Sequence, residues 1–248
     1  MKKLENKIAL ITGASSGIGA GVAIAYAKEG ADVVINYPTR AQRADANAIA
    51  SAVRRAGRRA LLVEADVSDD AAVRRMVKAV LKRFDRIDVL VNNAGISTRA
   101  LVEDMSVAQW DEMIRINLRS VFLCTHYVLP HMYARNYGKI ISTASQLGYA
   151  GSAGGSHYCA AKAGILAFTR SLSREIGERN VNANCVAPGA TVTPMVKPER
   201  WDAIRRTIPK GRLARVDQIV PAYVYLASDE ADHMVGQTVS PNGGDVML

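Results

Sequence analysis

The stretch "KIALITGASSGIG", Lys7–Gly19, sets an apolar run of strand length against a glycine-rich turn and the start of an amphipathic segment. Where a buried strand passes within a few residues into a helix, the first N–H groups of that helix lack intrahelical partners. The aligned peptide dipoles then make this end attractive to an anion. The glycines follow G-x-x-x-G-x-G at Gly13, Gly17 and Gly19. Lacking a Cβ, they let the backbone approach a ligand closely, so strand, turn and helix together form a place for a pyrophosphate. A bare glycine pattern says little; its position between strand and helix gives it meaning.

The same alternation runs outward along the chain. Apolar strands are predicted at Lys7–Thr12, Asp32–Tyr37, Arg59–Glu64, Ile87–Asn92, Gly138–Thr143, Val181–Ala187 and Gly236–Ser240. Helical patterns fit Gly17–Glu29, Arg40–Ala56, Ser68–Phe84, Ser106–Arg135, Ser156–Arg179 and Val216–Ala227. Continuous apolar strands between amphipathic helices indicate an α/β fold with a parallel sheet covered on both faces. No linker or repeat interrupts residues 1–248, which read as one dinucleotide-binding domain. The exception is Pro188–Arg215, with Pro188, Pro194, Pro198 and Pro209 and only a weak helical period. It reads as a substrate loop at about 190–215.

Composition narrows the class. The 248 residues are 49% hydrophobic with a formal charge of +9. The basic residues are scattered in singles and pairs among acids, with no aromatic-interleaved stripe. They read as a solvated surface that draws anionic ligands, not as a nucleic-acid face. No apolar run is long enough to cross a membrane, and the polar residues after Lys2 and Lys3 argue against a signal peptide. Cys124, Cys159 and Cys185 are odd in number and widely spaced, as in a reduced cytoplasmic protein. His126, His131 and His233 share no ligand spacing, so no metal site is expected.

The second strand should end near the adenosine ribose, where an acid would bond the 2′-hydroxyl of NAD. Here the stretch is "INYPTRAQR", with Tyr37 in that place and no acid from Val33 to Ala44. Arg40 and Arg43 follow, suited to a 2′-phosphate, so NADP(H) is favoured and NAD(H) stays open. The alternative is that Arg40 is simply a surface residue at a helix start. Further on, "SHYCAAKAG" spaces Tyr158 and Lys162 four residues apart, one turn of one helix face. A free phenol titrates near ~10, and a neighbouring cation lowers it toward useful acid–base chemistry.

With "TGASSGIG", "NNAG" (Asn92–Gly95) and Tyr158-x-x-x-Lys162 in order, the chain resembles the short-chain dehydrogenase/reductase family over essentially its whole length. The resemblance implies a Rossmann fold with a seven-stranded parallel sheet of order 3-2-1-4-5-6-7 and an Asn–Ser–Tyr–Lys catalytic tetrad. Tyr158 and Lys162 match two members. Ser145, thirteen residues before Tyr158, takes the serine place, with Ser142 as a competitor inside the strand. Asn117 in "IRINLRSVF" matches the asparagine. By resemblance Tyr158 is the acid or base, Ser145 bonds the substrate oxygen, and Lys162 binds ribose and lowers the Tyr158 pKa. Asn117 would hold a relay water.

The family's cofactor site maps onto Gly13, Ser15, Ser16, Gly17, Ile18 and Gly19 in the turn, then Tyr37 and Arg40. It continues through Asp66 and Val67, Asn92, Ala94 and Gly95, Tyr158 and Lys162, and Pro188, Gly189 and Thr193, with "NNAG" packing against the glycine turn and Asn92 a structural bond-maker rather than a catalyst. Two departures stand out: Ser16, where many NADP users carry a second basic residue, and Thr191, where Ile or Val is usual. His157 is expected at a rim or in packing, not in proton transfer.

For the substrate, "INLRSVF" and "GQTVSPNGG" resemble 3-oxoacyl-acyl-carrier-protein reductases, while "VVINY", "HYCAAKAG" and "PGATVTP" resemble glucose 1-dehydrogenases. Arg179 and Arg174 could receive an acidic carrier protein or simply solubilise a helix, and Arg99 could meet a polar substrate. A third alternative is a silent NADP(H)-binding sensor. The family resemblance also implies a homotetramer.

Overall fold

The computed structural model describes residues 2–247. Seven parallel strands form its sheet: β1 (Ile8–Ile11), β2 (Asp32–Tyr37), β3 (Ala60–Glu64), β4 (Val89–Asn92), β5 (Gly138–Thr143), β6 (Val181–Val186) and β7 (Thr238–Val239). They lie in the order β3-β2-β1-β4-β5-β6-β7. Leu10 of β1 sits opposite Val34 on one side and Leu90 on the other, which fixes the centre of the sheet. β1, β2 and β4 are buried at every position, as a sheet covered on both faces requires. β7 is shorter than the predicted Gly236–Ser240. It pairs only with β6 at the sheet edge, between Gly236 at φ +69° and Pro241.

Helices cover both faces. On one, α1 (Gly17–Lys28), α2 (Arg43–Arg55) and the C-terminal helix, here α9 (Val216–Ala227), enclose a core with Val33, Ile35 and Tyr37. Tyr26 donates to the Tyr223 carbonyl at 2.9 Å, locking α1 to α9. On the other, α3 (Asp70–Phe84), α5 (Ser120–Arg135) and α7 (Ser156–Ile176) pack on Val34, Leu90 and Ile140.

Two predicted helices differ from the structure. The helix expected over Ser106–Arg135 is divided into α4 (Val107–Ile114), a π-helical turn at Arg115–Arg119, and α5. The helix expected to reach Arg179 stops at Ile176, because Gly177 turns the backbone out at φ +62°. α6 (Leu147–Ala150) is a single turn after β5. The segment 188–215 holds the short α8 (Trp201–Arg205), and a Thr191–Ala214 bridge ties its two ends together.

Candidate active site

The strand order reverses between β1 and β4, and ligands of open α/β sheets bind beyond the strand C-termini at such a point. A cleft of about 890 Å³ opens there, walled on the far side by 193–207. Gly13 (φ +61°) and Gly17 (φ +56°) make the turn into α1. A Cβ on Gly13 would stand 2.8 Å from Ala94 Cα, so the backbone closeness needs glycine there. No side chain caps the start of α1, which leaves its first-turn N–H groups free for an anion.

Most of the predicted cofactor residues share this cleft. Gly13, Ser15, Ser16, Gly17 and Ile18 line it at the turn, Asp66 and Val67 beyond β3, and Ala94 and Gly95 beyond β4. Pro188, Gly189 and Thr193 complete it beyond β6, beside Tyr158 and Lys162. Burial works to raise the Asp66 pKa, but hydrogen bonds from Ser68 and the nearby Arg115 guanidinium hold it below the usual carboxylate value.

Four predicted contacts are not in the cleft wall. Tyr37 is buried among α1 and α2 residues because strand alternation turns it to the opposite face from Asn36. Arg40 stands exposed, while Pro38, Thr39 and Gln42 line the cleft beside it. Gly19 packs inside the turn, where a Cβ would meet the Gly13 carbonyl and Asn93 at 2.5 Å. Asn92 is buried behind the wall, its Nδ2 donating to Thr125 Oγ1 at 3.2 Å.

Two asparagines hold the turn instead: Asn36, missed in the sequence, and Asn93 of the "NNAG" stretch expected to pack there. Asn36 accepts from the Gly13 N–H at 3.2 Å and donates to the Ala65 carbonyl at 2.9 Å. Asn93 donates to the Thr12 and Gly13 carbonyls at 3.0 and 3.1 Å. An amide inside the otherwise apolar "VVINY" was the available signal.

The four tetrad candidates come from β5, α7 and the π-helical turn. Ser145 follows β5, lines the cleft and accepts from the Leu147 N–H at 3.2 Å. Ser142, the competitor, is buried in β5 beneath Asn92. Tyr158 and Lys162 lie one turn apart on α7, with Lys162 Nζ 5.6 Å from the Tyr158 ring centre. Burial raises the Tyr158 phenol, partly opposed by the Ser145 hydroxyl. Burial lowers the Lys162 ammonium to about 8. Lys162 Nζ donates to the Thr143 carbonyl at 2.7 Å.

Asn117 is 0% exposed. Its Nδ2 donates to the Ile96 and Met113 carbonyls, both at 3.1 Å, while its Oδ1 is buried without a partner. A Cβ on Gly95 would lie 2.5 Å from that Oδ1 and 3.7 Å from Lys162 Nζ, so the three groups converge. His157 is buried with Nε2 3.0 Å from Thr98 Oγ1, a packing position.

The turn, the free helix end and the converging polar groups therefore fit a nicotinamide dinucleotide, and the fold and site are those of a Rossmann oxidoreductase. Residues 7–203 match the family model described as short chain dehydrogenase, and the chain belongs to the short-chain dehydrogenase/reductase family. It is an NAD(P)-dependent oxidoreductase acting on CH–OH groups. It is 38% identical over 249 residues to a 3-oxoacyl-[acyl-carrier-protein] reductase of Synechocystis sp., covering 100% of both chains. It is also 38% identical to the BbsD subunit of (2S)-[(R)-hydroxy(phenyl)methyl]succinyl-CoA dehydrogenase of Thauera aromatica, over 97% of each. A short chain dehydrogenase from Burkholderia cenocepacia, solved in complex with NADP, superposes with a TM-score of 0.92 at 32% identity, covering 98% of this chain and 99% of that one.

Proposed function

We propose that this enzyme reduces the 3-oxo group of an acyl thioester with NADPH, and that Asn117, Ser145, Tyr158 and Lys162 carry the reaction. The observation behind the substrate class is the full-length likeness to two relatives that are both named for acyl thioesters. Arg99 and Arg200 also line the cleft, and neither is in an ion pair among the described residues. They offer positive charge to a substrate on an anionic carrier.

A nicotinamide dinucleotide held by the Gly13–Gly17 turn, Lys162 and the Pro188–Thr193 segment would supply the hydride chemistry, in either direction. Ser145 donates to the substrate oxygen and stabilises the charge that develops there. Tyr158 gives its proton to that oxygen. Burial keeps its phenol protonated at neutral pH, the form an acid needs. The Lys162 ammonium, held by Thr143, stabilises the phenolate that Tyr158 leaves. Asn117 Oδ1 accepts from a water beside Lys162, and this water returns the proton from solvent.

NADP(H) is favoured by the absence of any acid from Val33 to Ala44, with Arg40 and Arg43 beside the cleft-lining Thr39 and Gln42. Residues 1–248 act as one catalytic domain with 190–215 as its substrate loop. The enzyme works in the cytoplasm, consistent with three free cysteines, and assembles as a homotetramer. The exposed Val107, Trp110 and Phe122 on α4 and α5 support association.

The test is initial rates with acetoacetyl thioester plus NADPH or NADH, beside oxidation of aldoses and polyols. Fast thioester reduction preferring NADPH is expected, with a loss of at least about 10³-fold in Tyr158→Phe. Sugar oxidation with little thioester turnover would move the enzyme to the glucose 1-dehydrogenase reading. Cofactor binding without tyrosine-dependent turnover would mean a sensor.

A further inference from the structure

The π-helical turn Arg115–Arg119 sends its side chains to different places. Asn117 lies on the inner side, its Nδ2 bonded to the Ile96 and Met113 carbonyls and its Oδ1 set toward Gly95 and Lys162. Ile116 lines the cleft. Arg115 and Arg119, four residues apart, both reach one short loop beyond β3. Arg115 Nη1 donates to Asp66 Oδ2 at 3.3 Å and to the Ser68 hydroxyl. Arg119 Nη1 donates to the Ser68 carbonyl at 2.5 Å.

The receiving loop is itself braced. Asp66 Oδ1 accepts from the Ser68 N–H at 2.9 Å and from Ser68 Oγ at 2.6 Å, and Ser68 is 1% exposed. Asp69 then caps α3 by accepting from the Ala72 N–H at 2.6 Å. Asp66 and Val67 line the cleft, so the two arginines join the turn to a fixed wall of the site. Neither arginine is part of that wall.

A turn of this kind needs holding. π-helical geometry is rare and occurs mostly as single turns inside α-helices. Successive residues of an α-helix stand about 100° apart around its axis. A slip of one residue into α-helical register would swing Asn117 by about that angle, away from Gly95 and Lys162. The Arg115–Asp66 pair is well exposed and holds little by itself. The Arg119 bond, from a charged donor to the carbonyl of a buried residue, is the stronger hold.

We propose that Arg119, assisted by Arg115, is a positioning residue for the reaction: it keeps the π-helical turn in the register that sets Asn117 beside Gly95 and Lys162. This rests on Asn117 taking part in the reaction, as proposed above, and is independent of which carbonyl compound is the substrate.

The test is a double-mutant cycle between Arg119 and Asn117, read with NADPH and acetoacetyl thioester, or with the aldose or polyol that is oxidised in its place. Arg119→Met should bind NADPH in a fluorescence titration and lose kcat by about tenfold or more, with little change in cofactor KM. Arg119→Lys, which can still donate to the Ser68 carbonyl, should recover most of that loss. Arg115→Met should show a smaller loss of the same kind. In an Asn117→Ala background, Arg119→Met should cost no further kcat, because the residue it acts through is gone.

The same loss in both backgrounds overturns the proposal, as does an unchanged kcat in Arg119→Met. A loss confined to cofactor KM also overturns it, since the arginine would then serve only the Asp66–Ser68 wall. Should Arg119→Met fail to fold, the cycle is run with Arg115→Met and read by the same outcomes. If Asn117→Ala leaves kcat unchanged, the role given to Asn117 fails and this inference falls with it. A loss in Asn117→Ala without one in Arg119→Met strikes this inference alone.

Discussion

Lys162 carries the clearest electrostatic cost in the cleft, an ammonium 4% exposed whose pKa burial lowers from 10.5 to about 8. Between those two values the unfolded chain binds a proton that the folded chain does not. Its contribution therefore makes stability rise with pH from about 8 to 10.5, and below about 8 the cost of burying charge is paid in full. Removing that ammonium forfeits the bond to Thr143, worth about 1.5–3 kcal/mol, against a burial penalty of several kcal/mol. Lys162→Met should therefore unfold at a higher temperature than the wild type at pH 7, while carbonyl reduction falls by at least about 10²-fold. A lower melting temperature in calorimetry would show that the lysine is structural. In the wild type, kcat/KM for reduction should be flat below about pH 8 and fall above it as Lys162 loses its proton and its support for the phenolate. A reduction profile that keeps rising through pH 9 would remove Lys162 from the role given to it here.

At the scale of elements, the π-helical turn Arg115–Arg119 is where sequence and structure part most instructively. A turn of this kind adds one residue to the helical repeat, a difference too small to register in the hydrophobic period of "QWDEMIRINLRSVF". Inside it, Asn117 bonds back to the Met113 carbonyl and directs its Oδ1 toward Gly95 and Lys162. Asparagine was legible there through its family motif, but the backbone device that aims it was not. The helical pattern did begin at Ser106, and the structure shows why: Ser106 and Gln109 form a reciprocal cap, with Ser106 Oγ accepting from the Gln109 N–H at 3.2 Å and Gln109 Oε1 from the Ser106 N–H at 3.0 Å. Ser106→Ala should cost about 1 kcal/mol, a melting temperature lower by about 2–4 °C in a chain of this size. Because α4 leads into the turn that holds Asn117, kcat should fall with it. A stability loss with unchanged kcat would mean that the turn is held from α5 alone.

Across the whole molecule, the strand alternation that makes the fold readable also limits how finely the site can be read. Continuous apolar strands announce a sheet buried on both faces, yet erase the period-2 signal that tells one face from the other. The sheet order came from the family resemblance, and the strand pattern could not tell which side chain of β2 reaches the site: Tyr37 lies in the core, and Asn36 braces the glycine turn. Gln146 and Asp245, ninety-nine residues apart, meet only because the C-terminal segment folds back over β6, a contact no local pattern announces. The cofactor site likewise exists only when the ends of β1, β4 and β6 are assembled, so binding should stabilise the entire fold. At one hundred times its Kd, NADPH should contribute about 2.7 kcal/mol, a rise in melting temperature of about 5–11 °C. Gly13→Ala places a Cβ 2.8 Å from Ala94 Cα at φ +61°, and the strain alone costs about 1–3 kcal/mol. This variant should melt several degrees lower without cofactor and show no NADPH-dependent rise. A full rise in Gly13→Ala would mean that the turn relaxes freely, and the close packing of Gly13 on Ala94 would not be what shapes the pyrophosphate site.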